Sequence, residues 1–173
     1  MHPILTRRSF TFLMAASGAA FAVQASASPL QSASGNPILV ISGKIQNSND
    51  GKQAVFDRQL LEGVGMETMV TKTPWYKEPQ SFEGVSLARL MKFVGAYGTL
   101  VEASALNDYS CELPISDFEQ YNTMLALKRN GVYMPVSDKG PLFIVYPFDS
   151  APELQNDKFY MRSAWQVSEL KVK

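Results

Sequence analysis

The chain reads as an α+β protein, a single domain of mixed β-sheets with a few short helices. Three observations predict this. Short apolar or alternating runs recur between turn signals rich in Gly, Pro and Asn, which is the pattern of strands. Helical spacing of apolar residues is confined to two or three brief stretches, so the helices are few and the sheets antiparallel or mixed. There is no internal repeat, and the length suits one domain with its own core.

Residues 1–27 read as an export signal: Arg7 and Arg8 form the charged start, residues 12–23 are apolar, and Ala25-Ser26-Ala27 offers small residues for cleavage. Thr6-Arg7-Arg8-Ser9-Phe10 resembles a twin-arginine signal, although paired arginines also occur in ordinary export signals. The apolar part is short for a membrane span and no later segment approaches that length, so no membrane insertion of the mature chain is expected. The mature protein is expected in the periplasm. Residues 28–36, rich in Ser and Ala, read as a flexible leader, and 37–173 as the domain.

The 16 basic and 16 acidic residues balance, and without Arg7 and Arg8 the mature chain has a formal charge of −2. Nucleic acid and anionic membrane surfaces are therefore not obvious partners. His2, the single histidine, leaves with the signal, which excludes a histidine triad, a histidine base and histidine-rich metal sites. The lone Cys111 cannot close an intrachain disulfide or build a zinc or iron–sulfur site by itself.

In chain order, residues 37–42 are a strand, and Asn47-Ser48-Asn49-Asp50-Gly51 turns the chain into a second one. Asp57 caps a short helix carrying Leu60, Leu61 and Val64, ended by Gly63 and Gly65. A strand follows at 66–73. Pro74 and Pro79 bracket a stretch expected to lack regular structure, and Phe82-Glu83-Gly84-Val85 is expected to lead into a helix capped by Ser86. That helix repeats Leu87, Leu90, Met91 and Val94 up to Gly95. Residues 100–106 form a strand feeding the polar stretch 105–117, which is expected to be a loop bearing binding groups. Ser116 and Glu119 have capping-box spacing for a short helix. Residues 124–128, Asn130-Gly131 and 132–136 read as a tight hairpin. Residues 141–147 read as a strand buried on both faces, 150–158 as a polar loop, and 165–172 as a closing strand or strand pair.

The order of these landmarks carries a resemblance. Phe82-Glu-Gly-Val-Ser-Leu-Ala-Arg-Leu-Met, Leu106-Asn-Asp-Tyr-Ser with Leu113-Pro-Ile-Ser-Asp, Leu125-Ala before Asn130-Gly131, and Lys139-Gly-Pro-Leu-Phe-Ile-Val-Tyr-Pro resemble the molybdopterin-binding oxidoreductase domain of the sulfite oxidase fold, over residues 43–172. The resemblance implies a single domain of that type wrapped around a pterin-based cofactor, with a cysteine thiolate on molybdenum. The corresponding stretch here, Val70-Thr71-Lys72-Thr73-Pro74-Trp75, holds no cysteine, and the role is not carried over to Cys111. The chain is more similar to short, exported, cysteine-lacking members of the fold that look like periplasmic pterin-binding regulators. That likeness implies a non-catalytic protein that binds a reduced pterin such as a tetrahydropterin. It would relay pterin occupancy to the periplasmic domain of a membrane-bound enzyme of cyclic-di-GMP turnover. The alternative is a molybdopterin-dependent oxidoreductase or its accessory subunit. No catalytic residue and no metal ligand is assigned.

A pterin presents a flat ring and an edge of N–H donors beside a carbonyl, so an aromatic plate and a carboxylate complement it. Trp75 is the candidate plate, or else a core or lid aromatic. Asp108 is the candidate acceptor, or else a turn former. Tyr109 lines the cleft or is an ordinary half-buried tyrosine, and Cys111 is a wall contact or simply a small buried residue. Arg162 donates to a carbonyl or polar tail, or forms a surface ion pair. Trp165 reads first as core.

Overall fold

The computed structural model describes residues 30–173. The export-signal reading, residues 1–27, and the first two leader positions lie outside the described residues. Among the described residues, ten strands form two five-stranded sheets, accompanied by four short helices.

Period-two alternation builds the first sheet. β1 (Pro37–Gly43) turns Leu39 and Ile41 inward, and β2 (Ala54–Asp57) returns antiparallel to it after the predicted turn. Asp57 then starts α1 (Arg58–Gly63), its Oδ1 accepting the Leu60 N–H at 2.8 Å. Its Oδ2 accepts the N–H groups of Ser34 at 2.8 Å and Gly35 at 2.7 Å, so the described part of the leader lies along the domain. The N–H donors of Leu60, Gly35 and Ser34 hold the Asp57 carboxyl below its ordinary pKa.

β3 (Met66–Thr73) and β4 (Tyr76–Ser86) form a long hairpin that corrects two expectations. The stretch between the prolines is regular from Tyr76 onward because it pairs with β3, while β7 (Met124–Arg129) reaches β4 only from Phe82. Pro79 therefore sits where the strand has one neighbour, and its missing N–H costs no central ladder bond. Phe82 to Val85 continues the strand instead of introducing a helix. Gly84 is required there: the ladder is irregular between Glu83 and Gly84, and a Cβ would collide with the Leu125 carbonyl across the pair. α2 (Leu87–Phe93) starts at the predicted Ser86, whose Oγ accepts the Arg89 N–H at 3.4 Å, and it buries Leu87, Leu90 and Met91.

β5 (Leu100–Ala105) does not open into a long loop. Residues 106–109 make a tight turn, and β6 (Ser110–Pro114) pairs straight back, with Cys111 opposite Ala103. α3 (Ser116–Gln120) forms, but the predicted capping box does not: Ile115 takes the cap position and Ser116 falls inside the first turn. The helix is phased by its inward residues, Asp117 and Phe118. β7 and β8 (Val132–Tyr133) flank Asn130 and Gly131 at φ +50° and +79°, as the Asn-Gly pair predicts. β9 (Phe143–Val145) is the centre of the run expected to be buried on both faces. The expected polar loop 150–158 instead contains a 3-10 turn and the start of α4 (Asp157–Arg162), capped by Asn156. β10 (Val167–Val172) closes the chain.

The first sheet runs β2-β1-β10-β5-β6, with β1 and β10 parallel and its other pairs antiparallel. The second runs β3-β4-β7-β8, with β9 also on β7, and is antiparallel throughout. Around β7 and β9 both faces of the second sheet are covered. Leu125, Leu127 and Ile144 enter the main core against the first sheet, α1 and α2, while Met124, Ala126, Phe143 and Val145 enter a smaller core on the other face. That division explains why β7 and β9 read as continuous apolar runs. Trp75 touches both cores, and there the site forms. No helix among the described residues is long and apolar enough to cross a membrane.

Candidate functional site

Trp75 lies between β3 and β4, half-buried, at the centre of an aromatic cluster. Its ring meets Phe143 at 5.4 Å, Trp165 at 5.6 Å, Phe148 at 6.0 Å and Tyr160 at 6.4 Å, all edge-to-face. Such pairs add about 0.5–1.5 kcal/mol each beyond the area they bury. The cluster opens on a cleft of about 450 Å³ whose walls are Trp75, Trp165, Tyr160 and Tyr109, with Asn107, Asp157 and Ser163 supplying polar atoms.

Each wall is held by local structure. The β5–β6 turn, with Asp108 at φ +63°, brings Asn107 and Tyr109 to one side. The Tyr109 hydroxyl donates to the Met161 carbonyl at 2.6 Å, tying that turn to the last turn of α4. Its ring is thereby fixed as a wall. Asp157 opens α4, so its carboxylate sits at the cleft edge, and Trp165 is set by a bridge to Phe143 in β9. Lys139 places its ammonium 5.2 Å from the Trp165 ring, a cation–π contact that steadies the far wall.

Beneath α4 lies a buried polar knot. Asp117, 6% exposed, accepts on one oxygen both the Tyr146 hydroxyl at 3.0 Å and Arg162 Nη1 at 2.7 Å. Burial above all, and then the Asp117 charge, pushes the Tyr146 phenol far above its ordinary pKa, so it stays a donor. The Cys111 thiol donates to the Arg162 carbonyl at 3.8 Å, and burial raises its pKa to about 11 against the opposing pull of Arg162. At pH 8 its thiolate fraction is thus roughly 100-fold below that of a thiol at the ordinary 9.0. Labelling of Cys111 by iodoacetamide at pH 8 is expected to be slower by about that factor in native than in urea-unfolded protein; equal rates would show an open thiol. Because the folded state holds this proton more tightly, the thiol's contribution to stability falls as pH rises from about 9 towards 11.

Of the residues singled out from sequence, Trp75 and Tyr109 meet across the cleft. Asp108 is exposed and shapes the turn, while its neighbour Asn107 lines the cleft. Arg162 and Cys111 lie in the layer below, with the Arg162 guanidinium engaged by Asp117. Trp165, read first as core, forms a wall. Asp157, Tyr160 and Ser163 carry no such signal in the sequence, because α4 buries Phe159 alone and so shows no apolar periodicity. The Asn156 cap before an acidic first turn was the available signal.

No protein-family model matches the chain, and no curated protein matches it. Among the described residues, no group of three or more His, Cys, Asp and Glu side chains is placed to hold a metal ion.

Proposed function

We propose that this protein is a periplasmic pterin-binding module of the sulfite oxidase fold type, without catalysis of its own. It reports pterin occupancy to the periplasmic domain of a membrane-bound cyclic-di-GMP enzyme. The observation that carries the reading is the cleft itself, which is lined by Trp75, Tyr109, Tyr160 and Trp165 together with the Asp157 carboxylate and the Asn107 amide. Its volume, about 450 Å³, lies within the range of small-molecule sites. A reduced pterin lays its ring flat against one aromatic wall, with the rings that stand perpendicular to it meeting its edge, and its amino and ring N–H donors pair with the Asp157 carboxylate. The Asn107 amide, whose Oδ1 already accepts the Tyr109 N–H at 3.2 Å, offers its NH₂ to the pterin carbonyl.

The residues do not fit a protein-ligated molybdenum. That ligand must be a thiolate, and the Cys111 thiol is held protonated, points to the Arg162 carbonyl and does not line the cleft. Occupancy acts instead by population shift: a ligand bridging the β5–β6 turn, the Trp75 loop and α4 favours the closed arrangement by its difference in affinity for the two states. The exposed Tyr109 and Met161, which line the cleft, are the surface such a change would alter.

Calorimetric titration of the purified protein with 6-methyltetrahydropterin under anaerobic conditions is expected to show saturable one-to-one binding. Absence of binding would sink the reading. Mass spectrometry of small molecules released from protein taken from its native periplasm separates a pterin from a full molybdenum cofactor.

A further inference from the structure

The described methionines divide by exposure. Met69, Met91, Met124 and Met134 are at most 8% exposed and Met66 is half-buried, whereas Met161 is 61% exposed. The Met161 backbone lies in the last turn of α4 and its carbonyl accepts the Tyr109 hydroxyl, so the exposed area belongs chiefly to the thioether side chain. A helix sets residues four apart on one face, and Asp157 and Met161 are such a pair, both lining the main cleft. Met161 therefore stands beside the carboxylate that pairs with the ring donors. Leucine would supply much the same apolar wall; what methionine adds is a sulfur that two-electron oxidants reach.

An open thioether reacts with peroxides by oxygen-atom transfer. The O–O bond of hydrogen peroxide breaks, one oxygen bonds to the Met161 sulfur, which gives up two electrons, and the other oxygen leaves as water. The product is a polar, chiral sulfoxide, which methionine sulfoxide reductases return to the thioether with electrons from a dithiol. The other reactive sulfur is shielded: the Cys111 thiol stays protonated, points to the Arg162 carbonyl and does not line the cleft, and peroxide attacks thiols slowly in that form. A sulfoxide at Met161 adds an acceptor oxygen next to the Asp157 carboxylate. A ring paired with Asp157 displaces water from that oxygen without offering it a donor, and a polar atom stripped of water in this way weakens binding.

We infer that Met161 is a reversible oxidation site on the wall of the main cleft, and that its sulfoxide lowers the affinity of the cleft for a bound ring. This rests on the pterin reading and adds its regulation: occupancy falls under a peroxide load and recovers when the sulfoxide is reduced.

The test treats the whole protein with hydrogen peroxide and then removes the peroxide. Peptide mass spectrometry follows each methionine, and anaerobic calorimetry follows binding of 6-methyltetrahydropterin. Met161 is expected to gain one oxygen more than about tenfold faster than Met91, Met124 or Met134. The oxidised protein is expected to bind roughly tenfold more weakly, the effect of about one polar atom covered without a partner, and methionine sulfoxide reductase to restore the affinity. Met161→Leu, measured against its own untreated affinity, is expected to change by less than about twofold on the same treatment. Met161→Gln, which carries a fixed polar group at that position, is expected to bind more weakly than wild type without treatment. Oxidation of Met161 no faster than of the buried methionines overturns the site. An oxidised Met161 with undiminished affinity, or an equal loss in treated Met161→Leu, overturns the regulation while the pterin reading stands. Failure of the untreated protein to bind 6-methyltetrahydropterin is a distinct pattern, which removes the pterin reading and the switch with it.

Discussion

Asp117→Ala is expected to destabilise the protein by about 3–5 kcal/mol, the cost of stranding a buried charge whose partner is removed. Asp117 Oδ2 is the shared acceptor for the fully buried Tyr146 hydroxyl and for Arg162, whose side chain is only 17% exposed. Without the carboxylate, the guanidinium stays beneath α4 with no counter-charge and the phenol loses its acceptor. Tyr146→Phe removes one donor and leaves the ion pair intact, so its cost is expected to be only about 1 kcal/mol. The two variants together separate a buried pair from a surface one, for which a loss of about 0–1 kcal/mol would be ordinary. Urea denaturation followed by circular dichroism measures both. Asp117→Ala losing less than Tyr146→Phe would contradict the arrangement. In melting temperature, the larger effect corresponds to roughly 10 °C for a chain of this size.

The same substitution reaches the cleft. α4 carries Asp157, Tyr160 and Met161 to its edge and is anchored from below through Arg162 and through Phe159, whose ring meets Tyr121 and Tyr146 at 5.2 Å each. Loosening that anchor slackens one whole wall. Pterin affinity is therefore expected to fall in Asp117→Ala, although Asp117 does not line the site.

Trp75→Ala is expected to weaken binding of 6-methyltetrahydropterin by roughly 10- to 100-fold, since stacking of a flat heterocycle on an aromatic ring contributes about 1–3 kcal/mol. The indole is also the hub of four edge-to-face contacts and touches both cores, so stability is expected to drop by about 2–4 kcal/mol. The two losses are separable. Trp75→Phe keeps a plate over the ligand and gives up part of the packing, so its affinity is expected within about tenfold of wild type. Calorimetry on variants shown to be folded decides the matter. An unchanged affinity in folded Trp75→Ala would remove Trp75 from the site and leave the aromatic cluster a packing feature.

Local signals in the sequence were enough for most of the elements. Asp57 and Ser86 announce helix starts because a cap needs only a side-chain oxygen and the N–H three residues ahead, and both form those bonds. Asn130-Gly131 announces its turn because few residues adopt two successive positive φ angles. β6 was hidden because, at the edge of its sheet, it turns only Cys111 and Leu113 inward and leaves Ser110 and Glu112 exposed, so its alternation is too short to stand out. The Ser116 capping box misled because burial of Asp117 and Phe118 decided the helix phase, and tertiary burial outweighs a cap.

By itself, then, the sequence determined that the chain is a mixed α and β protein of short strands with a few short helices among them. It also picked out Trp75 and Tyr109, because a tryptophan beside a proline and a tyrosine beside a turn are local facts. Which residues meet around them was decided only in three dimensions. Asp157 and Asn107 reach the cleft from segments 50 residues apart, the Arg162 guanidinium is drawn beneath α4 by Asp117, and Thr73 Oγ1 loses its solvent with no partner among the described residues. Pairing and desolvation of this kind depend on which segments the two sheets bring together, and no local pattern encodes that choice.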